Sequence, residues 1–312
     1  MKVLVLEKNP EACMETSKAN SGIIHAGYDA VRGSLKEKLN VECSLEMEAL
    51  SKRLHFLYKK IGSLLVFRED EKEVAELLYK EGLERGIPGI RLVDQEELRE
   101  KEPHLCHDYV GALYAPSAAI VCPFQLTYSL LENAIQNGVS FQTMEEVVGI
   151  KKQDNSFLVK TQKTSYQARY VMNAAGVKAD QISAFVGDNS FTITPRRGEY
   201  RVLDHTEDHK VKHILFQIPT PHSKGVLALP TVHGNLLLGP TSVLQDSRTA
   251  KPMTEEGLAE ISLHREKLFP EMNLEDKTIR IFSGLRATSR EGDFIVREST
   301  VPGFFHAAGI DS

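Results

Sequence analysis

Residues 2–8 constrain this chain most. Lys2-Val3-Leu4-Val5-Leu6-Glu7-Lys8 reads as a short, fully buried β-strand that ends in a carboxylate. After it come Thr16, Ser17, Asn20, Ser21 and Gly22, and then Ile23-Ile24-His25-Ala26-Gly27-Tyr28. A buried strand ending in Glu is how a dinucleotide-binding fold grips an adenosine ribose, because the carboxylate accepts hydrogen bonds from the ribose hydroxyls. In such a unit this strand is the second. A strand and a glycine-rich turn stand before it. No G-x-G-x-x-G occurs anywhere in the 312 residues.

The rest of the chain alternates helix and strand patterns. Leu35, Leu39, Cys43, Met47, Leu50, Leu54, Leu57 and Ile61 recur at spacings of three and four, which predicts one long amphipathic helix. Ile61–Phe67 reads as a strand, and Glu71–Arg85 as a helix stopped by Gly86. Asp94 with Glu97 looks like a capping box for a short helix that Pro103 closes. Val110–Tyr114 is a strand. Pro123 opens a helix that ends at Gly138. Glu146–Lys152, Ser156–Gln162 and Tyr166–Asn173 read as a β-meander, followed by a small-residue turn and a helix over Lys178–Val186. Short strands between Pro195 and Pro240 predict a mainly antiparallel sheet. Glu255–Leu268 is a helix. Strands follow at Thr278–Leu285, Phe294–Val296 and Phe304–Ala308.

The fold class is therefore α/β in two interleaved parts. Residues 1–60, 120–190 and 280–312 form a Rossmann-like nucleotide-binding domain without its first strand and glycine-rich turn. Residues 61–119 and 191–279 form a mainly antiparallel substrate domain. A net charge of -5 without long runs argues against a nucleic-acid partner, which needs a basic face. No apolar run approaches the roughly 18 residues of a membrane span. Four scattered cysteines without a C-x-x-C pair predict a reduced, cytoplasmic setting, with attachment at the membrane periphery left open. No zinc-type spacing of Cys and His occurs, and isolated His222 and His233 lack the partners a metal site needs. Cys122, just before Pro123, reads as a helix-entry residue rather than a redox group, because no resolving cysteine lies near it in sequence.

Six segments carry a resemblance, in order from end to end. They are Glu7-Lys8, the Ser21–Gly27 stretch, Asn173-Ala174-Ala175-Gly176, Pro195-Arg196-Arg197-Gly198-Glu199-Tyr200, Gly284-Leu285-Arg286 and His306-Ala307-Ala308-Gly309-Ile310-Asp311-Ser312. Together they resemble the FAD-dependent oxidoreductases of the D-amino-acid oxidase superfamily. The branch is that of L-2-hydroxyglutarate dehydrogenases and the related glycerol-3-phosphate dehydrogenases. The resemblance implies FAD as cofactor, a small anionic substrate, and oxygen, a quinone or an electron-acceptor protein as oxidant. Family members begin with the strand and G-x-G-x-x-G turn and continue past the last residues into a helix facing the flavin. The resemblance thus implies a chain shortened at both ends, or a shortened protein that has lost its cofactor.

Site residues follow by the same resemblance, each beside a plainer reading. Glu7 and Lys8 would meet the ribose, but a strand-end Glu is also an ordinary surface carboxylate. Thr16, Ser17, Asn20, Ser21 and Gly22 would hydrogen-bond phosphate and flavin, or else simply form a polar loop. The backbone at Val147 and Val148 would bracket the adenine, or be plain core. Ala174, Ala175 and Gly176, with Gly309 and Asp311, would let backbone lie against the cofactor, or serve close helix–strand packing. His25 is the candidate catalytic base, since histidine titrates in the right range for a hydroxyl proton; the alternative is a buried structural histidine. Arg197, Tyr200 and Arg286 are candidates for the substrate anion, because a guanidinium matches a pair of oxygens. Their alternative is a salt bridge. Arg196 and Arg197 are successive strand residues, so at most one faces the site. The expected substrate is a 2-hydroxyglutarate-like acid, with glycerol 3-phosphate second and an amino acid third.

Overall fold

The structure is a computed structural model, and it describes residues 2–218 and 225–311. His222 and Ser312 lie outside the described residues. The opening run forms β1 (Val3–Leu6), and Ile23–Ile24 form the two-residue β2. Helix α1 (Leu35–Leu54) is capped by Ser34, whose hydroxyl accepts from the Glu37 amide. Asp293 accepts from the amides of Leu35 and Lys36 at the same end. The apolar spacing predicts a helix that continues to Ile61. It stops at Leu54 because His55 takes a left-handed backbone at φ 59°, and the chain turns into β3 (Tyr58–Lys60). Next come β4 (Ser63–Phe67), α2 (Lys72–Glu84), β5 (Arg91–Asp94) and α3 (Gln95–Lys101). Asp94 caps α3 as expected, accepting from the Glu97 amide at 2.9 Å. The Glu97 carboxylate turns to Arg91 instead of completing the box.

β6 (Gly111–Ala115) and β7 (Ala119–Val121) lead into α4 (Pro123–Gln136), which starts on proline with buried Cys122 as its N-cap. β8 (Val139–Gln142), β9 (Val147–Gln153), β10 (Ser156–Thr161) and β11 (Ser165–Ala168) follow. The third meander strand, expected to reach Asn173, breaks after Ala168. Its remainder is a separate strand, β12 (Val171–Asn173), which leaves the meander. Then come α5 (Ala179–Ala184), β13 (Ile193–Leu203), β14 (Ile214–Gln217), β15 (Leu227–Pro230), β16 (Leu236–Gly239) and β17 (Val243–Leu244). The order closes with α6 (Glu255–Leu268), β18 (Thr278–Ser289), β19 (Ile295–Glu298) and β20 (Phe304–Ala308).

The largest sheet runs β17-β13-β16-β15-β14-β4-β6-β5, with β18 also paired to β13. It is antiparallel except for the β14–β4 pair. Side chains alternate across it, so each face builds its own core. Leu203, Leu64 and Val66 face Ile261 and Leu268 of α6 and Leu98 of α3. Tyr200, Leu65 and Phe67 face the other way, toward Ala26 and Tyr28 of the loop before α1.

Among the described residues four smaller sheets stand apart from it, and two of them contain parallel pairs. β1 pairs with β8, and β12 pairs with β20, both in parallel; β19 extends the second sheet. Leu6 and Val171 pack against one cluster built around Ile150, Phe157, Val159 and Phe304, which joins the two sheets through the meander. The opening strand, expected to be fully buried, is not. Val3, Leu4 and Val5 are 37–40% exposed, because β1 is hydrogen-bonded on one edge alone. Among the described residues no helix is long and apolar enough to cross a membrane.

Candidate active site

The strands β13 and β18 build the first wall. Arg196 stands opposite Arg286, Gly198 opposite Gly284, and Tyr200 opposite Phe282. Directly opposed residues share a face, so these six residues form one surface. Tyr200 stacks on Phe282 with ring centroids 4.6 Å apart and an interplanar angle of 10°. Burial pushes the Tyr200 hydroxyl up to about 12, so it stays protonated and able to donate. The Arg286 Nη2 donates to the Thr241 carbonyl at 2.9 Å. Gly198 is the reason that contact fits. A Cβ there would meet Pro240 Cβ at 2.8 Å and the Thr241 carbonyl at 3.3 Å. Burial pulls the Arg286 guanidinium below its usual range, and the charge of Arg196 adds to the effect. Among the described residues Arg286 has no ion-pair partner, and its buried Nε has no hydrogen-bond partner.

Arg197 corrects the expectation that it shares a site with Tyr200. The strand alternates, so Arg197 lies on the opposite face with Glu199. It pairs with the fully buried Glu199 carboxylate at 3.0 Å. Glu199 also accepts from the Thr254 amide at 2.8 Å and the Thr254 hydroxyl at 2.9 Å, at the start of α6. The Arg197–Glu199 pair therefore fastens α6 to the sheet. Arg196, its neighbour, is the residue on the Tyr200 face. The period of two was readable in the sequence; which face carries the site was not.

The second wall is the loop from β2 to α1. The His25 ring lies 5.8 Å from Phe216 on β14, and Tyr28 meets Phe216 edge-on at 6.4 Å. Phe216 and Phe282 both pack against the cluster that contains Tyr200, Ala26 and Tyr28. The structure thus brings His25, Tyr200 and Arg286 to one side of the large sheet. Phe216 was not singled out in the sequence, where it reads as an ordinary strand aromatic. A cleft of about 390 Å3 lies between β2 and the start of α4, lined by Ser17, Asn20, Gly22, Ile23, Ile24 and Leu126.

The loop 16–22 is bound largely to protein. Thr16 Oγ1 donates to the Leu285 carbonyl at 2.6 Å. The Asn20 side chain donates to the Thr16 and Ser17 carbonyls and accepts from the Gly22 amide. Gly22 holds φ at 67°, and a Cβ there would meet the Val121 carbonyl at 2.5 Å. Ser17 is exposed and Ser21 half-buried. Gly284 makes room for this loop: a Cβ there would stand against the Ala19 carbonyl.

Most of the remaining residues lie where parallel strands end. Glu7 follows β1, and its Oε1 accepts from the Asn9 amide at 2.8 Å. Lys8 pairs with Glu15 at 3.0 Å. Ala174 and Ala175 follow β12 and are exposed. Gly176 has φ 55°, and nothing lies within 4 Å of where its Cβ would stand. Gly309 follows β20, and Asp311 pairs with Lys36 at 2.8 Å. Val147 and Val148 start β9, half-buried and exposed respectively. Behind the two turns lies a buried network. His306 Nε2 meets Asp188 Oδ2 at 3.1 Å, and its Nδ1 faces Asn173 at 3.4 Å. Asn173 in turn donates to the Ala179 carbonyl at 2.8 Å and accepts from the Ala175 amide at 3.3 Å. Burial alone would raise the Asp188 carboxyl. The Ser299 hydroxyl, the Ser190 amide and His306 outweigh it and hold the carboxyl well below the usual range.

Comparison with known proteins places this arrangement. Over its whole length the chain is 41% identical to a glycerol 3-phosphate dehydrogenase of Caloramator mitchellensis, and it spans 65% of that protein. Human mitochondrial L-2-hydroxyglutarate dehydrogenase is 31% identical over 261 residues, which are 78% of this chain and 56% of that one. The dithionite-reduced, FAD-bound L-alpha-glycerophosphate oxidase of Mycoplasma pneumoniae superposes with a TM-score of 0.93 at 30% identity. That match covers all of this chain and 84% of the oxidase. The family model described as DAO, FAD dependent oxidoreductase, matches residues 1–312. The chain belongs to this family of FAD-dependent oxidoreductases.

Proposed function

We propose that the protein oxidises the secondary alcohol of glycerol 3-phosphate to the ketone, with FAD as electron acceptor. The observation that carries the reading is Arg286, a largely buried cation with no ion-pair partner among the described residues, on the face that also holds Tyr200. Such a charge is costly unless an anion meets it. The name of the Caloramator relative moves glycerol 3-phosphate ahead of the 2-hydroxyglutarate-like acid that the sequence favours.

The residues present fit FAD. The adenosine ribose would lie against Glu7, at the carboxyl end of a parallel strand, where such ligands bind. The open Gly176 turn leaves room for a ligand against backbone. Glu7, the Ala174–Gly176 turn and the Gly309–Asp311 turn would hold the group, which supplies a two-electron acceptor when bound. Arg286 orients the substrate anion by a charged two-pronged contact. Tyr200 offers its protonated hydroxyl to the same anion. His25 takes the hydroxyl proton as the carbinol carbon is oxidised. Phe216, Tyr28 and Phe282 keep water from the reacting alcohol.

Anaerobic mixing of the FAD-incubated protein with substrate tests the reading. Glycerol 3-phosphate should bleach the flavin absorbance faster than L-2-hydroxyglutarate or an amino acid. Faster bleaching by L-2-hydroxyglutarate would reverse the substrate order. A protein that stays colourless after incubation with FAD would support the second reading, a folded chain without catalysis. Oxygen consumption against quinone reduction then distinguishes the two acceptor classes.

A further inference from the structure

We propose that Arg196 and Arg286 together form a subsite for a doubly charged, phosphate-type anion, and that Arg196 sets the preference for a phosphate monoester over a carboxylate. The inference deepens the proposed function and rests on its reading that a small anionic alcohol is the substrate.

The two arginines are direct cross-strand partners on β13 and β18. Side chains so placed have Cβ atoms about 4.5–5.5 Å apart, and like charges there repel. Some half-buried arginines elsewhere are held by carboxylates, while others, such as Arg99 and Arg201, are held by carbonyls or a hydroxyl. Arg197 holds Glu199, Arg248 holds Asp180, and Arg85 holds Glu37 and Glu81. Among the described residues no carboxylate pairs with Arg196 or Arg286. Asp311 is the acidic group whose charge reaches Arg286, but its Oδ1 is held by Lys36 at 2.8 Å.

Both side chains are also aimed at one place. Arg196 Nη1 donates to Ser242 Oγ at 3.0 Å, and Arg286 Nη2 donates to the Thr241 carbonyl at 2.9 Å. The anchors are adjacent residues, so the two guanidiniums converge there. Gly198, between Arg196 and Tyr200 on the same face, lets Pro240 and Thr241 pack closely against the strand, which brings both anchors within reach. Each guanidinium has five N–H donors, and one hydrogen bond from each is accounted for. One bidentate guanidinium satisfies a carboxylate. A phosphate monoester carries three terminal oxygens and nearly two charges near neutral pH. That anion matches two arginines in both charge and oxygen count.

Arg196→Gln in the FAD-loaded protein is the test, with Arg196→Lys as a second variant that keeps the charge and loses the fork. KM for glycerol 3-phosphate should rise about tenfold to a hundredfold in Arg196→Gln, with kcat nearly unchanged, as expected for one lost charged hydrogen-bond partner. KM for L-2-hydroxyglutarate should change far less. In the wild type, KM for glycerol 3-phosphate should rise as pH falls through the second phosphate ionisation near ~6. That dependence should flatten in Arg196→Gln. Inorganic phosphate, followed by calorimetry on the resting protein, should bind the wild type and not Arg196→Gln. Unchanged KM and unchanged phosphate affinity in Arg196→Gln would overturn the subsite, as would a wild type that does not bind phosphate. A wild type that binds phosphate through Arg196 but leaves glycerol 3-phosphate unoxidised would overturn the substrate reading and leave the subsite standing.

Discussion

At the scale of single residues, the arginines show how one residue type divides between paired anchors and cations without a counter-ion. Arg197 and Arg286 both sit on the large sheet, but their surroundings differ. Arg197 faces a fully buried carboxylate, so its loss strands Glu199 at the start of α6. Breaking such a pair from one side costs about 3–5 kcal/mol. Arg197→Met should therefore lower the unfolding free energy from urea denaturation by that amount while leaving the substrate preference of the folded fraction intact. Arg286→Met should do the reverse. It relieves an uncompensated charge, so stability should hold or rise, while kcat/KM falls by at least about tenfold. Measuring both variants by denaturation and by flavin reduction separates the roles. His25→Ala should slow flavin reduction by about 10²–10⁴-fold, the usual contribution of a general base, and leave FAD bound. Equal reduction rates in the two proteins would remove His25 from the mechanism.

At the scale of elements, the fold depends on a few close approaches. β18 carries the loop 16–22 on its Gly284–Leu285 stretch. The Cβ of Gly284→Ala would stand against the Ala19 carbonyl, and backbone cannot step aside cheaply. Overpacking of this kind costs about 1–3 kcal/mol. The variant should lose that much stability, and cleavage of the loop by protease should quicken. The turn after β12 is tied to β20 through Asn173, His306 and Asp188. The Asp188 carboxyl is depressed in the folded state, so its stabilisation is present above the ordinary aspartate range and lost as pH falls below it. Thermal midpoints should therefore drop below about pH 4, where an unperturbed aspartate titrates. In Asp188→Asn the acid-side drop should shrink. An identical drop in the variant would place the acid sensitivity elsewhere.

At the scale of the whole molecule, stability is unevenly distributed. β18 pairs with β13 along an eleven-residue register, within a sheet covered on both faces. β1 has one hydrogen-bonded neighbour and an exposed apolar row. Local opening follows the density of buried contacts. Amides of Val3–Leu6 should exchange with deuterated water well before those of β13 and β18. Comparable protection in the two regions would contradict this ordering. The strand that first marks the chain as nucleotide-binding is therefore among its least buried elements. Its diagnostic value lies in Glu7 at the carboxyl end of a parallel strand.

Local pattern alone determined much of this protein. Period-two and period-3.6 spacing located most strands and helices, proline and glycine marked the ends of α4 and α2, and Asp94 announced the cap of α3. Small-residue turns marked the strand ends that the proposed cofactor site uses. These features are short-range, so the chain states them directly. Contacts between distant segments decided the rest. His55 ended α1 against its apolar spacing, because the chain turns there into β3. Asn173 left the meander for β20, more than a hundred residues away. Gly284 was set by Ala19, and the facing of Arg196 and Arg286 by the register of β13 on β18. Alternation already placed Arg196 and Arg197 on opposite faces. Only the packing of α6 on one side and the His25 loop on the other determined which arginine became an anchor and which was left without a counter-ion.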